Sequence, residues 1–210
     1  MFRNFDFCIA GGGMVGLSIA NQLIERGISS NILILDKECE LGLHSSGLNS
    51  GVLHAGLYYD PKSLKAKVCV SGAKRLKSWI KERRLPINEC GKVILPQESF
   101  LDKQLDLLYE RGKANGATVE MWDEKDLKSN VPLARTSSGR ALWSPNTAVV
   151  KSKVVLKRLE NELRQKKVSF RLNQKNWRIN PARNELILCD GDKVSYGHFI
   201  NCAGLRADEV

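Results

Sequence analysis

The sequence lacks the motifs that mark metal sites, and it is poor in histidine. It has three histidines and six cysteines in 210 residues, and Cys8, Cys39, Cys69, Cys90, Cys189 and Cys202 stand far apart. None of them forms a CxxC pair or meets a histidine at metal-ligand spacing, so no metal is expected. The thiols read instead as reduced, mostly buried groups of a cytosolic compartment. Long apolar runs are also missing: FCIAGGGMVGLSIA is too short to span a bilayer and is broken by three glycines. That disfavours a signal peptide or membrane anchor and leaves a cytoplasmic protein as the expectation. There is no internal repeat, no low-complexity segment and no Pro/Gly/Ser-rich linker.

The composition that remains is that of a folded, water-soluble chain, with 42% hydrophobic and 27% charged residues. The formal net charge of +10 invites a nucleic-acid partner. Its distribution argues against one, because the basic residues are spread along helical stretches such as KSLKAKVCVSGAKRLKSWIKERR and KSKVVLKRLENELRQKK. No RNA-recognition signature, Cys/His finger or aromatic-interleaved ribbon accompanies them. A solvated basic exterior is the simpler account, and no nucleic-acid partner is expected.

Apolar periodicity sets out the elements. A strand is expected over Asp6 to Ala10, a helix from Met14 to Arg26 ended by Gly27, and a second buried strand over Ile32 to Leu35. Together they make a βαβ unit. A long loop follows, then a helix before Pro86, a strand in CGKVILP and a helix stopped by Asn115 and Gly116. ATVEMW and ALWSPNTAVV read as strands, and Ser152 is placed to cap the helix KSKVVLKRLENELRQKK. The chain closes with short strands in VSFRL, KNWRI, ELILCD, KVSY and HFINCAG, separated by NPARN, DGD and YG turns. In that reading His198 sits in a hairpin away from every motif.

Gly11-x-Gly13-x-x-Gly16 opens the first helix directly after the first strand, the context in which a glycine pattern becomes a dinucleotide fingerprint. Gly11 permits the tight turn, Gly13 lets backbone N–H groups approach a pyrophosphate, and Gly16 lets the helix lie against the sheet. The helix N-terminus offers its unpaired donors and dipole to the phosphates. Asp36 ends the second strand 20 residues beyond Gly16, where an acid hydrogen-bonds the adenine ribose and disfavours a 2′-phosphate. NADP is therefore the ligand least expected, while FAD and NAD stay open on the glycines and acid alone.

The loop HSSGLNSGVLHAGLYYD, from His44 to Asp60, bears on that choice. A simple nicotinamide enzyme would continue with alternating helix and strand, whereas a Gly/Ser/Asn loop can bring backbone donors to a larger ring system. Asn49, Ser50 and Gly51 supply small donors and close backbone approach, and His54 brings a group that titrates near neutrality. A flavin with a nearby proton acceptor suits that set. Tyr58 and Tyr59 either wall such a pocket or simply pack. Arg75 and Lys65 lie on a basic helical face, which is reason enough for their charge.

NSGVLHAGLYYDPKSLKAKVCVSGA, CGKVIL and the terminal NCAGLRADEV together resemble the L-2-hydroxyglutarate oxidase/dehydrogenase family, FAD enzymes of the D-amino-acid-oxidase-like superfamily. The resemblance runs along the whole chain and covers the N-terminal half of such an enzyme. It implies an α/β fold: a discontinuous FAD-binding Rossmann-type domain, glutathione-reductase-like, over residues 1–84 and 150–210, with a partial α+β substrate domain inserted over 85–149. It further implies FAD as cofactor, oxidation of an (S)-2-hydroxy dicarboxylate to the 2-oxo acid, and electrons passed to oxygen or a membrane quinone, the latter with peripheral contact at the inner face of a membrane. His54 is the base expected to take the hydroxyl proton; the other reading is a loop histidine that only bonds backbone. His44 matches a family histidine and is placed as structural or flavin-adjacent. Ala203 and Gly204 mark the turn where the chain returns to the cofactor. Leu48 replaces a second family histidine and Lys151 a family aspartate at a helix start. An amine or amino-acid oxidase of the same superfamily is the alternative activity. Since the resemblance implies a further half beyond Val210, a fragment that binds FAD weakly and does not turn over is the third reading.

Overall fold

The computed structural model describes residues 3–210. The first stretch forms β1 (Arg3–Ala10), α1 (Met14–Glu25) and β2 (Ile32–Leu35). The middle forms β3 (Val52–Leu53), α2 (Leu64–Glu82), β4 (Ile87–Asn88), β5 (Lys92–Ile94), α3 (Asp102–Ala114), β6 (Glu120–Trp122), α4 (Glu124–Asn130), β7 (Ala141–Ser144) and β8 (Ala148–Val150). The last stretch forms α5 (Ser152–Gln165), β9 (Ser169–Arg171), β10 (Arg178–Asn180), β11 (Glu185–Ile187) and β12 (Lys193–Asn201). Two compact units result, one running up to Asn49 and resuming over Ser152–Val210, the other spanning Ser50–Lys151. The second unit thus begins at Ser50 and not at residue 85, because β3 pairs with β8 inside it (Val52 opposite Val149). Among the described residues no helix is long and apolar enough to cross a membrane.

The first unit is built on a six-stranded sheet of order β10-β11-β12-β1-β2-β9. β12, β1, β2 and β9 run parallel, and β11 and β10 add an antiparallel edge. All four side chains of β2 are buried, as expected of a strand covered on both faces. Phe5, Cys8, Leu33, Leu35, Leu186, Leu188, Val194 and Tyr196 form one core cluster. Cys8 lies at its centre, where burial pushes the thiol pKa up to about 12. It is the one buried cysteine among the described residues; Cys39, Cys90 and Cys189 are exposed and Cys69 and Cys202 half-buried, since these five sit outside the packed strands of the core.

Three local expectations are corrected in this unit. KVSY and HFIN form a single strand, because the long β1 pairs on both sides of Gly197, Phe5 opposite Tyr196 and Phe7 opposite His198. The YG pair makes no turn, and His198 stands in mid-strand with its ring stacked on Phe7 at 5.0 Å. Ser152 is the first residue of α5 and not its cap, and its hydroxyl donates to Asn49 Oδ1 at 2.7 Å.

The second unit holds two three-stranded antiparallel sheets, β3-β8-β4 and β5-β7-β6. Ser63 caps α2, its Oγ accepting the Ala66 N–H at 3.1 Å. α4, absent from the sequence reading, starts with a capping box in which Asp123 and Asp126 bond each other's backbone N–H. Trp122 and Trp143 stack at 4.9 Å across β6 and β7. Arg140 bridges Asp102 and Asp106 at 2.5 Å each, tying the segment before β7 to α3.

Candidate functional site

The glycine turn lies where the end of β1, the start of α1 and the end of β12 meet. Gly11 has φ +108°, a backbone conformation that side chains rarely adopt, and a Cβ there would sit 2.2 Å from the Cys202 carbonyl oxygen. A Cβ on Gly16 would stand 2.0 Å from the Gly11 carbonyl oxygen and 3.2 Å from the Ile9 side chain. These two glycines are therefore fixed by the chain's own backbone. Gly13 differs: its Cβ position meets no backbone but only the Ser46 side chain, Oγ at 2.9 Å and Cβ at 3.7 Å, which would have to move aside.

Donors at this turn are held by two side chains. Asp36 Oδ2 accepts the Gly12 N–H at 2.8 Å while its Oδ1 accepts the Glu38 N–H at 3.0 Å. Ser46 Oγ accepts the Met14 N–H, in the first turn of α1, at 3.0 Å. A dinucleotide fits this arrangement. A serine hydroxyl both donates and accepts, so Ser46 can keep the Met14 N–H and still give its own proton to a phosphate oxygen. Each carboxylate oxygen of Asp36 keeps a lone pair for a ribose hydroxyl.

The structure thus brings Gly11, Gly13, Gly16 and Asp36 together, with Ala203 beside Gly11 through the Cys202–Ala203 peptide. Ala203 N–H donates to Asn201 Oδ1 at 3.1 Å, and Gly204, at φ +63°, opens the 3-10 turns that follow. His44 reaches this set through Glu38: its Nε2 lies 2.9 Å from Glu38 Oε1, and this hydrogen bond holds the Glu38 carboxyl below its ordinary range. Asn49 braces the loop, donating to the Ser45 and Ser46 carbonyls at 3.0 and 2.9 Å. Ser46 itself was not singled out from the sequence; only the small-residue character of its loop pointed to it.

Ser50, Gly51 and His54 belong to the second unit. Ser50 is exposed, and Gly51, at φ +69°, accepts the Val150 N–H at 2.9 Å, which makes it a pairing residue of the β3–β8 ladder. His54 follows β3 and is half-buried. Burial, and after it the charge of Lys92, lowers its pKa, so the imidazole stays neutral and able to accept a proton over a wider range of pH. Its ring meets Tyr58 edge-on at 6.0 Å. Lys92 Nζ donates to the Tyr58 hydroxyl at 2.5 Å and lies 4.7 Å from the centre of that ring. Asn115, at the end of α3, holds the loop in place by donating to the Gly56 and Tyr59 carbonyls at 2.8 and 3.0 Å. Lys92 and Asn115 both lay inside stretches the sequence reading quoted, yet nothing in one sequence shows a strand and a helix end converging on a loop.

The family model described as "DAO: FAD dependent oxidoreductase" matches residues 6–210. The chain belongs to that family. The cofactor of the DAO family is FAD, in agreement with the turn just described. The mitochondrial L-2-hydroxyglutarate dehydrogenase of Pongo abelii is 33% identical over 221 residues, covering 99% of this chain and 52% of the relative. The Escherichia coli (strain K12) L-2-hydroxyglutarate dehydrogenase is 29% identical over 208 residues, covering 98% of the chain and 49% of the relative. The chain spans about half the length of the curated relatives it matches. Among solved structures, L-alpha-glycerophosphate oxidase from Mycoplasma pneumoniae with FAD bound superposes with a TM-score of 0.84 at 23% identity, covering 99% of this chain and 56% of that one. Glycine oxidase from Geobacillus kaustophilus gives 0.84 at 17% identity, with 98% and 56% covered. These likenesses establish the Rossmann-type FAD fold of the DAO enzymes for this chain.

Proposed function

We propose that the protein binds FAD through the first unit and serves the oxidation of an (S)-2-hydroxy acid, L-2-hydroxyglutarate or a close analogue, to the 2-oxo acid. The observation that carries this is the likeness to L-2-hydroxyglutarate dehydrogenases along nearly the whole chain, at 33% identity for the Pongo abelii protein. Gly11, Gly13 and Gly16 with the α1 N-terminus would take the pyrophosphate, Asp36 the adenine ribose, and Ala203 and Gly204 the returning side of the cofactor. The second unit would bind the substrate. FAD, when bound, supplies the acceptor for the hydride that leaves the substrate Cα. His54 takes the proton of the hydroxyl group, for which a neutral imidazole is suited. Oxygen or a membrane quinone is the proposed final acceptor, with the protein in the cytoplasm or at a membrane's inner face.

The test is anaerobic addition of substrates to the FAD-loaded protein while the flavin band near 450 nm is followed. Bleaching by L-2-hydroxyglutarate and not by its D enantiomer is the expected result. Bleaching by glycine or another amine in its place would overturn the substrate assignment, and failure to take up FAD would overturn the whole reading.

A further inference from the structure

Beside His54, the Lys92 ammonium and the Tyr58 hydroxyl meet each other and keep further donors to give. Lys92, on β5, spends one N–H on the Tyr58 hydroxyl at 2.5 Å and meets no carboxylate among the described residues. An ammonium only donates, so the Tyr58 oxygen is the acceptor in that bond and its own proton remains to be given. No acceptor for that proton, and no hydrogen-bond partner for either ring nitrogen of His54, is found among the described residues. Some cations of the same unit do meet carboxylates: Arg140 has Asp102 and Asp106, Lys77 and Lys81 share Glu89, and Lys128 has Glu124. What distinguishes Lys92 is its place, beside an aromatic hydroxyl and a half-buried imidazole, where an entering carboxylate would find two donors.

The surroundings favour an anion and hold the site still. Arg111, from α3, donates to the Tyr58 carbonyl at 3.5 Å, and Asn115 fixes the carbonyls on either side. From α2, Cys69 Sγ donates to the His54 carbonyl at 3.5 Å. Lys65, also on α2, lies over the Tyr59 ring at 4.7 Å. Lys92, Arg111 and Lys65 thus bring three cations to this loop, against one carboxylate at its end, Asp60, which accepts the Lys62 N–H.

We propose that Lys92, with the Tyr58 hydroxyl, holds a carboxylate of the hydroxy-acid substrate beside His54. The assignment rests on the oxidase reading above and names the residue that gives it carboxylate specificity. Lys92 and Tyr58 each have a donor to give a carboxylate, and the ligand's charge would offset the ammonium that disfavours protonation of His54. Anchoring of the acid group and acceptance of the hydroxyl proton therefore meet on one loop.

The test is to titrate the 210-residue chain with L-2-hydroxyglutarate, glutarate and L-lactate while the His54 ring protons are followed by NMR. In the wild-type chain each carboxylate is expected to perturb these signals and to raise the pH at which His54 titrates. Lys92→Met should raise that pH without any ligand and weaken carboxylate binding at least about tenfold, the scale for losing a hydrogen bond to a charged group. Lys92→Arg, which keeps the charge, should retain most of the binding and serves as the comparison if Lys92→Met fails to fold. Equal affinity in Lys92→Met and wild type, or no carboxylate binding to the wild type, would overturn the assignment. FAD titration of the same samples separates the two readings: carboxylate binding without FAD uptake sinks the oxidase proposal alone, and FAD uptake without carboxylate binding sinks this one alone.

Discussion

The two units hold their strands by different means. In the first, Cys8, Ile9, Leu33 and Ile34 are fully buried, and the parallel ladder of β1 with β12 runs from Arg3 opposite Val194 to Ala10 opposite Asn201. In the second, Ile80, Ala141, Leu142 and Ala148 are fully buried, but β3 and β5 are half-buried throughout, and polar ties such as Asn115 to Gly56 and Arg140 to Asp102 hold the segments around them. The difference separates two tasks. A cofactor cradle must keep backbone atoms within a fraction of an ångström, which a sheet buried on both faces can do. A substrate-facing loop must leave polar groups uncommitted, which a dry core cannot.

Core truncation should expose this contrast most. Leu33→Ala, in the first unit, is expected to cost about 2–5 kcal/mol in denaturant unfolding. The matching cut in the second unit, Val93→Ala on half-buried β5, should cost about 1 kcal/mol. Equal costs would mean that β5 is packed as tightly as β2.

Next in size is the loss of the proposed base. His54→Ala should slow flavin reduction by roughly a hundredfold or more in protein competent for turnover. The wild-type rate should fall only at a pH below the ordinary histidine range, since burial and Lys92 both disfavour the charged ring. An unchanged rate in His54→Ala would return His54 to the packing residues.

Smaller effects sharpen the account of the polar ties. Asn115→Ala removes two hydrogen bonds from the His54 loop and should cost about 1–3 kcal/mol, with the His54 ring signals shifting by NMR. Ser63→Ala removes the cap of α2 and should cost about 1 kcal/mol without moving those signals. If Ser63→Ala moved them as far as Asn115→Ala, the loop would be held by the helix start and not by α3.

Legibility followed the same division. The turn, α1, β2 and Asp36 were readable because each is a local pattern: four apolar residues in a row, glycines at fixed spacing, an acid at a strand end. β12 was split in two because Gly197 looks like a turn residue locally, and only the long-range pairing of its neighbours Tyr196 and His198 with β1 carries the strand through it. α4 escaped notice because its seven residues carry one buried side chain, Leu127, too few to show a helical period. Lys92 could not be weighed from the sequence at all, since what sets it apart is its contact with the Tyr58 hydroxyl, which only folding brings about.

The most direct measurement is fluorescence titration of FAD with the 210-residue chain, wild type against Gly13→Val. Gly13 is the decisive position because a Cβ there meets no backbone but only the Ser46 side chain, so the substitution crowds the place proposed for the pyrophosphate while leaving the backbone packing in place. Saturable FAD binding by the wild type and none by Gly13→Val, with both chains equally folded, is the predicted result. Equal binding by the two, or no binding by a folded wild-type chain, would contradict it.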